Sequence, residues 1–190
     1  MSDTSAIAAS PLRIRYLILS AAALTLMIAA VLGPSLWLLN WVHVMAGTLW
    51  TGIDLFMGFV VGPVMRGLPI AARRGLMAGL IPRTLVLMPT LSIITSTSGW
   101  FLARRMGFLD VGYPQFWWVV AALAIVGVLT VQGLGYLLPT NLWLYFQMMK
   151  PAPDFEKIAR RMRLYLLVVG SQGVMQMAII VVMARFATGL

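Results

Sequence analysis

Five apolar stretches, separated by short segments rich in arginine, glycine and proline, run through most of this sequence. Each approaches or exceeds the ~20 residues that a helix needs to cross a ~30 Å hydrocarbon core. Inside lipid a backbone must satisfy its own hydrogen bonds, so such stretches fold as helices. Composition agrees: 61% of the 190 residues are hydrophobic and 10% are charged, where a soluble domain carries about 25% charged residues. The sequence therefore reads as all-α, a polytopic membrane bundle of five transmembrane helices. It forms one unit over residues 13–190, behind a disordered tail over 1–12.

Glycine and proline set the expected borders. The first span covers 16–32 and ends at Gly33-Pro34. Its apolar run is long for a signal peptide and no A-x-A site follows, so it reads as an uncleaved helix. The second covers 36–62, up to Pro63. The third covers 82–102, with Pro82 in its first turn and Pro89 as a kink. The fourth begins at Pro114 and covers 114–138, then bends at Pro139 into an amphipathic extension reaching 148. The fifth covers 164–184.

Cations orient the spans. Arg13 and Arg15 precede the first span. Arg66, Arg73, Arg74 and the bordering Arg83 lie between the second and third. Lys150, Lys157, Arg160, Arg161 and Arg163 lie between the fourth and fifth. Eleven of the fourteen Lys and Arg residues thus fall on one side, which the positive-inside rule makes cytoplasmic, with the N-terminus inside. Trp37, Trp41, Trp100, Tyr113, Trp117 and Trp118 gather at the other end, as an aromatic interface belt does. The net charge of +9 then matches anionic lipid headgroups on the cytoplasmic side. No basic stretch carries the interleaved aromatics of a nucleic-acid groove, so no nucleic-acid partner is expected. The expected location is a bacterial inner (plasma) membrane, crossed several times.

The sequence has no cysteine. That excludes disulfides, thiolate metal sites and thiol catalysis. No nucleophile elbow, phosphate loop or His-Glu zinc helix is present, so an enzyme acting in isolation is not expected.

The second span holds the sole histidine, His43, and the one acid outside a tail or loop, Asp54. Ionisable groups within a span are costly and mark candidate functional sites. Eleven positions separate them, nearly three full turns, so both leave one helix face about 16 Å apart along the axis. His43, Gly47, Trp50 and Asp54, spaced 4, 3 and 4, form one stripe. On this topology His43 lies near the outer face and Asp54 lies past the midplane.

The segment His43-x-x-x-Gly47-x-x-Trp50-x-Gly52, followed by Phe56 and Pro63, resembles the CopD-like membrane superfamily. That group includes copper-resistance protein D and the membrane domain of cytochrome-linked urate oxidases. The likeness covers about two of five spans, from Trp41 to Trp100. It implies a helical bundle handling b-type haem or copper near the outer face, with His43 as ligand and Gly47 and Trp50 beside the group. Multi-histidine members supply two imidazoles. With one histidine, haem here needs Met88 or Met175 as second axial ligand, or sharing across a homodimer. Copper is the weaker reading: most methionines are scattered singly, as packing residues are, and His43 with Met45 is the place to look.

Each residue also has a plainer role. His43 can be an imidazole bonded to a neighbouring helix. Asp54 can be a buried neutral acid, or a proton or ion site paired with Arg83. The hydroxyls of 90–98 and Gln132, Tyr136, Gln172 and Gln176 can form a polar lumen opposite His43 and Asp54, or interhelical bonds. Three functional readings stay open. One is a CopD-like haem-binding or copper-handling subunit. One is a cofactor-free structural or assembly subunit of a larger membrane complex. One is a small proton-coupled transporter using Asp54.

Overall fold

A computed structural model describes residues 14–148, 150 and 155–189, with the side chains of 70, 71, 74, 148, 155, 159 and 163 outside the description. The expected tail over 1–12 lies outside the described residues. Helices α1 (Ile14–Leu32), α2 (Leu36–Phe56), α3 (Gly62–Gly67), α4 (Ile70–Arg105), α5 (Phe116–Thr130), α6 (Leu138–Met148) and α7 (Phe155–Ala187) follow in order. A π-helical stretch, Met57–Val61, joins α2 to α3, and a second, Val131–Leu137, joins α5 to α6. The described residues contain no strand. Five continuous helical runs are long and apolar enough to cross a membrane: Ile14–Leu32, Leu36–Gly67, Gly75–Arg105, Phe116–Gln147 and Glu156–Ala187. The protein is an all-α helical bundle of membrane-spanning type.

Several borders differ from the sequence expectation. Pro82 does not open the third span. It lies inside the 36-residue α4, as does Pro89, so Arg73 and Arg74 belong to the first turns of a helix, while Arg66 ends α3. A membrane helix tolerates prolines because neighbouring helices and hydroxyl groups compensate freed backbone groups. Thr84 and Thr90, just past the prolines, donate to the Leu80 and Val86 carbonyls, near the Ala78 and Leu85 carbonyls that the prolines leave without an N–H. α5 starts at Phe116, after Pro114, and α7 extends the fifth span back to Phe155.

The π stretches have a shared local cause. Proline lacks an N–H and its ring crowds the carbonyl four residues back. Pro63 follows Met57–Val61 and Pro139 follows Val131–Leu137, so each stretch occupies the turn that its proline disturbs. The deviation at Pro139 thus lies before the proline, and the helix runs on through α6 without a break.

Side chains close the helix ends. Ser35 caps α2, its hydroxyl accepting from Leu38 N–H at 3.2 Å. Arg105 donates to the carbonyls of Gly33 (2.8 Å) and Val31 (2.6 Å), satisfying the C-terminal end of α1. Arg73 does the same for α3, donating to the carbonyls of Met65, Arg66 and Leu68. Gly107, at φ 71°, ends α4 in the left-handed region that glycine enters without penalty.

Packing falls into two clusters. The first joins α1, α2, α4 and α5 through Met27, Ala30, Leu39, Val42, Ala46, Trp50, Leu91, Ile94, Leu102 and Leu129. The second joins α4, α6 and α7 through Ala78, Ile81, Leu144, Tyr145 and Ile158. The gap between them holds the candidate site.

Candidate functional site

α2 carries its two ionisable groups into different surroundings. His43 faces α4. Its Nδ1 lies 3.0 Å from the Thr95 carbonyl oxygen and donates to it, and the Ser98 hydroxyl is 3.4 Å away. The imidazole lies flat over Gly99: a Cβ there would stand 2.7 Å from His43 Cε1. Only glycine leaves room for the ring. Gly47, one turn on, meets the Thr95 methyl. Ser98 is fully buried and donates back to the Ile94 carbonyl. This half of the stripe is an interhelical contact packed without space.

Asp54 faces α7. Gln176 Nε2 donates to Asp54 Oδ2 at 2.6 Å, and Trp50, one turn earlier on α2, lines the same cavity. α2 packs mainly on α4 and only lightly on α7, so the Asp54–Gln176 bond is a principal polar link between α2 and α7. Gln176 is 1% exposed, and its Oε1 has no partner.

Below Asp54 a cavity of about 1020 Å³ opens. Its walls come from α2, α3, α4, α6, α7 and both π stretches. Trp50 and Asp54 line the deep end, Arg66 and Arg73 the other end, and Met57, Met77, Met88, Ser92, Tyr165 and Gln172 belong to the walls. Tyr165 and Asn141 both lie on the wall. Trp50 belongs to the first packed cluster, and Ile81, Leu144 and Ile158 to the second, so the cavity is the space that the two clusters leave between them. Met57 and Gly58 of one π stretch and Gly133, Leu134 and Leu137 of the other border it. Such π segments occur frequently at functional sites.

The remaining candidate residues divide between these regions. Met88 lines the Asp54 cavity. It lies seven residues before Thr95, about 10 Å along α4, and a helical side chain leans toward the N-terminus, away from His43. Metal–nitrogen and metal–sulfur bonds of about 2.0–2.3 Å put two donors to one metal within about 5 Å. His43 and Met88 do not form such a pair. Met175 packs on the first cluster beside Gln176, at the depth of Asp54. Met45, two residues from His43, points elsewhere and is 42% exposed. Among the described residues no three His, Asp or Glu side chains cluster as a metal site. Met88 and Met175 thus lie with Asp54 rather than beside His43, and Met45 is turned away from it.

Arg83 does not pair with Asp54. Its Nε donates to the Tyr16 hydroxyl at 2.8 Å and its Nη1 to the Gly79 carbonyl, tying α4 to α1 on the opposite side. Of the polar residues on the later spans, Gln172 lines the cavity and Gln176 holds Asp54, while Gln132 donates to Ser171 at 3.1 Å. The sequence offers the glutamines and the carboxylate but not their pairing across 122 positions. The prolines after each π stretch were the available signal for where the cavity walls depart from regular helix.

Comparison of the chain with family models, with curated proteins and with solved structures returns no match.

Proposed function

We propose that this chain is a small membrane carrier. It admits a solute to the cavity from the end bearing Arg66 and Arg73, and Asp54 is the ionisable group that the solute meets. The observation that carries this reading is the cavity itself, which is lined by an intramembrane carboxylate and, farther along the same run of helix, by Arg66. Its volume lies at the upper end of the ~300–1,000 Å³ range of small-molecule sites. At its other end, Trp50 and the first packed cluster close the path toward the aromatic ends of the helices. That is the form of a carrier open to one side.

The Gln176 amide suits a group that changes protonation. Its NH2 donates to a carboxylate, and its carbonyl, turned over, accepts from a carboxylic acid. The α2–α7 link thus persists in either state, while the free oxygen of Asp54 faces the ligand. On the positive-inside argument the open end is cytoplasmic, in a plasma membrane with anionic lipids around the basic helix ends.

Sided labelling tests this. The chain lacks cysteine, so Met57→Cys, beside Asp54, gives a single reactive site. A membrane-impermeant maleimide should label it rapidly from the Arg66 side and slowly from the other, because a carrier must expose its site to both. Labelling from neither side overturns the cavity; labelling from one side alone overturns transport.

A second reading concerns His43 and follows the CopD-like resemblance. Its Nδ1–H bond to a carbonyl is the arrangement that orients metal-ligating histidines, leaving Nε2 as acceptor. The remaining donors would come from a second copy of the chain or another subunit of a membrane complex. A haem or copper ligand at His43 would be seen as a Soret band, or as copper in metal analysis, lost in His43→Gln.

A further inference from the structure

We propose that the cavity selects an amphiphilic organic cation, an ammonium or phosphonium centre on an apolar body, whose charge settles against Asp54. The inference rests on the carrier reading and names its substrate class.

Charge is the first argument. A carboxylate away from water either takes up a proton or is held ionised by a partner of opposite charge. Among the described residues lining the cavity, the Lys and Arg side chains are Arg66 and Arg73. Arg66 lies twelve residues from Asp54, about 18 Å along the helix. Arg73 is already held by three backbone carbonyls. Arg83, at mid-depth on α4, is turned to Tyr16. Among the described residues, the donor to Asp54 is the neutral amide of Gln176. A ligand cation supplies the missing charge. An anion would be repelled by the ionised acid, and a neutral solute would meet it as a protonated acid and draw nothing from its charge.

The walls are the second argument. Trp50, one turn from Asp54, and Tyr165 line the cavity, and aromatic faces attract cations that have shed their water. Met57, Met77 and Met88 are also on its walls, and methionine repacks around apolar bodies of varied shape. A hydrated inorganic ion gains nothing from such walls. An organic cation gains from both the walls and the carboxylate.

Tetraphenylphosphonium and tetraphenylborate share one shape and differ in the sign of their charge, which makes them the test pair. With the full chain purified in detergent, equilibrium dialysis should show saturable phosphonium binding that tetraphenylborate does not displace. Asp54→Asn should weaken it at least tenfold, and Asp54→Glu should retain it. Matching thermal unfolding of the variants shows that fold is not the cause. Equal binding by wild type and Asp54→Asn overturns the proposal, as does preference for the borate. Unsaturable uptake by both proteins, which leaves the cavity to lipid chains, also overturns it. If phosphonium fails to bind while Met57→Cys still labels from both sides, the carrier reading stands and the cation is wrong. If Met57→Cys does not label, the carrier reading itself fails.

Discussion

His43 and Asp54 share one helix, yet the space around them is organised in opposite ways. Around His43, α2 and α4 meet so closely that one Cβ at Gly99 would collide with the imidazole. Leu39 and Ser98 are fully buried nearby. Around Asp54, α2 departs from α-helical bonding at Met57–Val61, α7 approaches through one side-chain bond, and about 1020 Å³ stays open. A polar group in a dry contact holds two helices together. A polar group on the wall of a cavity is available to a ligand. The same residue property, an ionisable side chain inside a span, serves two purposes that the surrounding packing decides.

Substitutions can break this contrast, and the largest effect belongs to the closed half. Leu39→Ala should lower stability by about 2–5 kcal/mol, the cost of a cavity in packed surroundings. Leu80→Ala, on the wall of the existing cavity, should cost less than half as much. Thermal unfolding in detergent reads both, and equal losses would mean that the halves are packed alike. Gly99→Ala comes next. Overpacking against the imidazole should cost about 1–3 kcal/mol, and the His43 ring resonances should shift in NMR spectra. A stable Gly99→Ala with an undisturbed ring would contradict the close contact.

Removing the α2–α7 link is a smaller change. Interhelical hydrogen bonds in membranes contribute about 0.6 kcal/mol on average and up to about 1.7. Gln176→Leu should lose stability within that range and loosen the deep end of the cavity, seen as faster labelling of Met57→Cys. The smallest effect is expected at Gly58, where an added Cβ meets nothing within 4 Å. Gly58→Ala should stay within about 0.5 kcal/mol of wild type, as surface changes do. A larger loss there would show that the open half is closed by contacts the structure lacks.

Much of the fold is legible in the sequence because lipid leaves a chain few choices. Apolar runs of spanning length must be helices, and the five runs found are the five that hydropathy marks. The errors lie at prolines. Pro82 reads as a helix start by local rules, but packing of α4 on α1 and α2 carries the helix through it. Pro63 and Pro139 read as an end and a bend, where the structure has a π turn before each. The site was half legible. Burial cost singles out His43 and Asp54, and helical period puts Gln172 and Gln176 on one face of their span. Which glutamine meets Asp54, and that the imidazole needs Gly99, depend on helix register and rotation. Those are set by side-chain packing between distant segments. The cavity has no residue signature, since it is a distance between helices.

The central claim is that α4 borders solvent-reachable space at Met88 and none at Ser98. Two single-cysteine proteins, Met88→Cys and Ser98→Cys, test it on one helix in a chain without other thiols. Their rates of reaction with a small water-soluble methanethiosulfonate should differ at least a hundredfold, Met88→Cys reacting fast and Ser98→Cys only on unfolding. Equal rates, or a faster Ser98→Cys, would contradict the division of this bundle into a closed half and an open one.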